Sequence, residues 1–95
     1  FYLLDEPEAA LSPQRQLSFL LLLHNLLRNN PDIQFIIATH SPLILAYPQS
    51  QILSFDGEYL SEISYEDSEP YNIVRGFLEN PSNYLRHLFS QLPLE

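Results

Sequence analysis

Three residues in this chain carry groups suited to phosphate chemistry, and all three sit at the ends of apolar runs. Asp5 and Glu6 directly follow Phe1-Tyr2-Leu3-Leu4, and His40 directly follows Ile36-Ile37-Ala38-Thr39. In open parallel sheets, ligands bind beyond the carboxyl ends of the strands. Adjacent residues at a strand end point in different directions, so one carboxylate can face a metal while its neighbour faces a water. Magnesium takes oxygen ligands and keeps several waters, so one aspartate together with substrate phosphates suffices; Asp5 is the candidate. A carboxylate within reach of an attacking water can orient it and accept its proton; Glu6 is the candidate. If the two strands are neighbours, His40 lies on the same rim, where its imidazole can donate to a terminal phosphate oxygen or position the water.

Other readings of these residues stand beside this one. Asp5-Glu6-Pro7-Glu8 could be only a polar turn. Asp5, Glu6 and Glu8 could form the metal cluster of a nuclease, as in two-metal phosphodiester cleavage. His40 could only cap the next helix. His24, mid-helix among leucines, reads as a packing histidine, and His87, beside Arg86, as a surface one. No His-x-x-x-His spacing supports a zinc site.

The elements that must hold these groups follow from apolar periodicity. Residues 1–4 form a continuous apolar run, as expected of a parallel strand covered on both faces. Ser12-Pro13 reads as an N-cap and first helical residue, and Asn29-Asn30-Pro31 as the stop. That helix is apolar over most of its circumference, which predicts a cover beyond its own sheet. Residues 33–39 give a second strand, completing one right-handed βαβ unit. Ser41-Pro42 opens a short helix over residues 43–47. Residues 51–55 and 58–63 read as a hairpin turning at Asp56-Gly57. An acidic stretch over residues 65–69 is the one linker candidate. Pro70 opens a helix to Glu79, and Asn80-Pro81 caps another, with Tyr84, Leu85, Leu88 and Phe89 on one side. The fold class is α/β: parallel strands with a crossover helix, an antiparallel edge hairpin and C-terminal helices.

Composition narrows the functions. The chain has 95 residues, one domain at most, with a 45% apolar content that suits a folded protein. The net charge is −8 and there is no lysine; the four arginines, Arg15, Arg28, Arg75 and Arg86, are scattered. A duplex-binding surface needs clustered cations, so nucleic acid stays open as a partner of a parent protein but not through this acidic segment. There is no cysteine, which excludes disulfides and thiolate metal sites and fits a cytoplasmic location. No apolar run reaches the roughly 18 residues of a membrane span. The chain begins inside an apolar run without a methionine and reads as cut from something longer.

Phe1-Tyr2-Leu3-Leu4-Asp5-Glu6-Pro7 resembles the Walker B strand of ABC-type P-loop ATPases. Glu8-Ala9-Ala10-Leu11-Ser12-Pro13 resembles the D-loop that follows it, and Ala38-Thr39-His40-Ser41-Pro42 the switch-histidine loop. The combination is similar to the soluble branch related to the structural-maintenance-of-chromosomes, recombination-repair and overcoming-lysogenization-defect groups, within the AAA-family ATPases. Phe77-Leu78-Glu79-Asn80-Pro81, with Tyr84-Leu85, resembles the C-terminal helices of small ATPases in that branch.

The resemblance implies ATP and Mg2+ as cofactors and ATP hydrolysis as the activity. It implies that Asp5 holds magnesium through water, Glu6 activates the hydrolytic water and His40 senses the terminal phosphate. Ala10, Leu11 and Ser12 would face a second subunit, because such enzymes clamp ATP between two domains, here a homodimer. Residues 1–63 would be the C-terminal part of the ATPase domain, and residues 64–95 its acidic loop and C-terminal helices. Ser12 stands where transporter relatives carry aspartate and the soluble branch often carries histidine.

The phosphate-cradling Gly-x-x-x-x-Gly-Lys-Ser/Thr loop is not in this sequence, whose only glycines are Gly57 and Gly76. The expectation is therefore a catalytic segment that supplies carboxylates and histidine, inactive alone, with the phosphates held by another part of the parent protein. The competing expectations are the metal-dependent nuclease, a non-enzymatic truncated interaction fragment and, more weakly, a transporter subunit.

Overall fold

A computed structural model describes residues 1–91. Its first unit is strand β1 (Tyr2–Asp5), a 3-10 turn (Pro7–Ala10), helix α1 (Pro13–Asn29) and strand β2 (Phe35–Ala38). The strands pair in parallel, Tyr2 opposite Phe35 and Asp5 opposite Ala38. A parallel pair needs a crossover, and α1 supplies it. The neighbouring of the two strands, on which the site depends, is as the sequence predicts. The Tyr2 and Phe35 rings stack at 5.4 Å across the pair.

The Ser12 side chain caps α1 by accepting from the Arg15 N–H at 3.2 Å, and Pro13 occupies the first turn, where a missing N–H costs nothing. The helix turns Leu20, Leu23 and Leu27 inward at 3.6-residue spacing, and Leu23 is buried. It packs on a 3-10 turn (Ile44–Ala46) whose Ile44 is also buried. Leu17, Leu21 and Leu22 stay exposed, so within the described residues this helix lacks the second cover that its apolar circumference predicts.

Strands β3 (Ile52–Ser54) and β4 (Ser61–Ile63) form a separate antiparallel ladder. Here the structure corrects the expected tight turn at Asp56-Gly57. A two-residue turn of that kind needs positive φ at glycine, and Gly57 does not have it. Register decides the matter. Pairing Ile52 with Ile63 keeps two half-buried side chains together, and the intervening residues form a longer loop.

The acidic stretch is not a free linker. It forms a 3-10 turn (Tyr65–Asp67) that leads into helix α2 (Glu69–Glu79). Ser68 is 2% exposed and donates to the Tyr65 carbonyl at 2.7 Å, while the Tyr65 hydroxyl donates to the Pro42 carbonyl at 2.6 Å. Glu66 and Asp67 face solvent. Helix α3 (Pro81–Phe89) is capped by Asn80, which accepts from the Asn83 N–H at 3.1 Å, and meets α2 edge-to-face through Phe77 and Tyr84. The segment expected as a short helix over residues 43–47 is a single 3-10 turn, because Pro48 leaves no room for a second turn.

Candidate functional site

The carboxyl ends of β1 and β2 lie side by side, and the candidate residues are the next ones along each chain. Asp5 ends β1, paired with Ala38, and is exposed. Glu6 donates its backbone N–H to the Ala38 carbonyl at 2.7 Å, extending the ladder by one bond. Its own backbone then turns to φ 47, ψ 56, the left-handed region. For a residue with a Cβ that conformation costs about 1–2 kcal/mol. Strain of this kind persists where the surrounding structure holds it in place, and it gathers at functional sites.

The left-handed turn brings the Glu6 carboxylate towards the neighbouring strand. Its Oε1 stands 3.8 Å from Nε2 of His40, with the side chains 56% and 83% exposed. That distance is an ion-pair separation and longer than a hydrogen bond. Among the described residues the Glu6 carboxylate accepts no hydrogen bond.

Glu8 behaves differently. Its Oε1 accepts from the Thr39 hydroxyl at 2.7 Å and its Oε2 from the His40 backbone N–H at 3.1 Å. The Thr39 oxygen also accepts from the Ser41 N–H at 3.0 Å. Partial burial pushes the Glu8 carboxyl upward, but the Thr39 hydroxyl, the backbone N–H groups and the neighbouring His40 outweigh it and hold the carboxyl below its ordinary value. A carboxylate with both oxygens committed in this way is a tie between two segments. This weakens the cluster of Asp5, Glu6 and Glu8 expected of a nuclease, and among the described residues no three metal-binding side chains converge.

A second tie lies behind the first. The Ser41 hydroxyl donates to Gln16 Oε1 and accepts from the N–H groups of Leu43 and Ile44 at 3.2 and 3.3 Å. Gln16 in turn donates from Nε2 to the Leu11 carbonyl at 3.1 Å. The cap at Ser41-Pro42 therefore exists, though it serves a shorter turn than expected. Ser12 is committed to capping α1, and Ala10 and Leu11 lie at the end of the 3-10 turn, Ala10 exposed and Leu11 half-buried. A groove of about 550 Å³ runs beside the site between His40, Ser41 and Gln16 on one wall and Val74 and Leu78 of α2 on the other.

Sequence reasoning placed Asp5, Glu6 and His40 on one rim and named Glu8 only in the alternative metal cluster with Asp5 and Glu6. It missed Thr39, Gln16 and Ser41 as the side chains that bind the rim together. The signal for two of them was present: a Ser-Pro helix start with glutamine four residues after the serine, and a threonine directly before His40. His24 is exposed, near the Tyr47 hydroxyl at 3.4 Å.

The architecture is that of a small α/β unit with P-loop-NTPase-like topology: strand, crossover helix, parallel strand, then an antiparallel hairpin. Within that class, residues 1–46, just under half of the chain, match the model of a family described as "AAA domain, putative AbiEii toxin, Type IV TA system". The matched span contains both strand ends and every residue of the site. No curated protein and no solved structure matches the chain. No helix among the described residues is long and apolar enough to cross a membrane.

Proposed function

We propose that this chain carries the hydrolytic half of an ATPase site of the ABC type, in the soluble branch that its motifs resemble. The observation that carries the reading is the strained backbone of Glu6, which sets an uncommitted carboxylate 3.8 Å from His40 at the ends of two parallel strands. The family match over residues 1–46 agrees with it.

The roles separate by hydrogen-bond occupancy. A general base needs a free oxygen to take a proton from water. Each Glu8 oxygen already accepts a hydrogen bond, while neither Glu6 oxygen does. In the proposed reaction a water oxygen forms a bond to the terminal phosphorus of ATP, the bond to the bridging oxygen breaks, and the water proton passes to Glu6. His40 donates to the terminal phosphate oxygen and steadies the charge that gathers there.

The exposed carboxylate of Asp5 suits a cation that binds oxygen donors, keeps its waters and shares the substrate's phosphates, so the site's donors fit magnesium. Magnesium, when bound, would neutralise phosphate charge. The phosphate loop itself belongs to another part of the protein, since this chain has no lysine. A second copy meeting Ala10, Leu11 and Ser12 would close the site.

The test is Glu6→Gln in the intact protein. ATP affinity should stay within about threefold, and turnover should fall on the order of 100-fold or more, the range for loss of a general base. Unchanged turnover would remove Glu6 from the mechanism. Magnesium-dependent DNA cleavage without nucleotide would favour the nuclease.

A further inference from the structure

We infer that Glu8 is a positioning residue, whose carboxylate fixes the imidazole of His40 opposite Glu6. The inference rests on the roles proposed above for Glu6 and His40.

The His40 ring is 83% exposed and approaches Glu6 only at 3.8 Å. A side chain held so lightly takes its direction from its backbone. That backbone is held by Glu8, directly through the His40 N–H and through the Thr39 hydroxyl, which itself receives the Ser41 N–H. One carboxylate therefore organises three successive residues, 39 to 41. Its bonds are charge-assisted, about twice as strong as neutral ones. Glu8 also sits on the 3-10 turn that starts directly after Glu6. The residue that bonds the backbone of the histidine thus stands two positions from the base. Small errors at such a spacing are costly, since a 1 Å misplacement can cost on the order of 100-fold in rate.

Glutamine at position 8 is the informative control. It can accept the His40 N–H and donate its own N–H to the Thr39 oxygen, so both bridges survive without the charge. In the intact protein, Glu8→Ala should lower kcat on the order of 10- to 100-fold while KM for ATP stays within about twofold. Glu8→Gln should keep kcat within about threefold of the parent protein. In a His40→Ala background, Glu8→Ala should add almost nothing, because a residue that acts through His40 has no further effect once the ring is gone.

A full multiplicative loss in that background would overturn the inference, as would a glutamine variant as slow as the alanine one. Thermal melting identifies a Glu8→Ala protein that fails to fold. Thr39→Val then takes its place, with the same non-additivity expected. The nucleotide-free intact protein, labelled with 13C in its histidine rings, gives a readout independent of turnover. The His40 ring signal should move in Glu8→Ala and stay in Glu8→Gln. If the parent protein hydrolyses no ATP, the proposed function fails and this signal alone decides: an unmoved ring overturns the positioning role, and a moved ring upholds it.

Discussion

The Ser41 hydroxyl donates to the Gln16 side chain, joining the first turn of α1 to the turn after β2. Gln16 passes the connection on to the Leu11 carbonyl at 3.1 Å. Ser41 is only 6% exposed, so losing its acceptor would leave a hydroxyl without water to replace it. Gln16→Ala should destabilise the protein by about 1–3 kcal/mol, the usual cost of an orphaned buried polar group. Ser41→Ala should cost about 1 kcal/mol through loss of the cap. Urea unfolding of the two single variants and the double should show less than additive loss, because they share one interaction.

Glu6 offers a contrast between stability and activity. Its φ of 47 favours glycine over any residue with a Cβ. Glu6→Gly should be more stable than Glu6→Ala by about 1 kcal/mol, the reverse of the usual order within regular structure. Both variants should lose turnover. Equal melting midpoints would mean that the left-handed turn is not strained.

The pH dependence of stability follows from Glu8. Its folded carboxyl lies below the ordinary value of 4.5. Between the two values the unfolded chain binds a proton that the folded chain does not, so stability rises with pH there. The contribution is complete above 4.5 and is lost as pH falls through the lower, folded value. Glu8→Gln should therefore flatten the acid limb of a stability-against-pH curve by lowering its neutral plateau, the difference from the parent protein vanishing below the folded value. An unchanged acid limb would contradict the two-oxygen tie.

The bond from Tyr65 to the Pro42 carbonyl, 2.6 Å long, connects the acidic turn to the loop that carries His40. Tyr65→Phe removes the donor and keeps the ring tilted against Tyr71, whose centroid is 4.7 Å away. The expected loss is about 1 kcal/mol, read from denaturant unfolding. Burial first, then Tyr71 and Glu66, raise the Tyr65 hydroxyl above its ordinary range, so the bond should survive mildly alkaline conditions.

The β1–α1–β2 unit was legible because its signals are local and agree: an apolar run, Ser12-Pro13, Asn29-Asn30-Pro31, then a second apolar run. Asp5, Glu6 and His40 could be placed on one rim for the same reason, since a parallel pair aligns strand ends. The antiparallel hairpin is as expected, but its tight turn is not: Asp56-Gly57 is a strong local signal, and it loses to the pairing of Ile52 with Ile63. The left-handed turn at Glu6 left no trace in its residue type. The Glu8 tie was hidden because it joins residues 31 and 32 positions apart. Only the strand register brings those atoms within 3.1 Å.

That span has a consequence for how the chain reaches its working form. A compact state with β2 shifted by one residue against β1 would still bury leucines and still form α1, yet it would turn the side chains of β2 to the opposite face. Glu8 would then find neither the Thr39 hydroxyl nor the His40 amide. The bonds that hold His40 beside Glu6 are therefore also a check on assembly. On the function proposed here, misregistered molecules would be inactive, and the pairing of Glu6 with His40 would come into being only once the crossover has closed in its correct register.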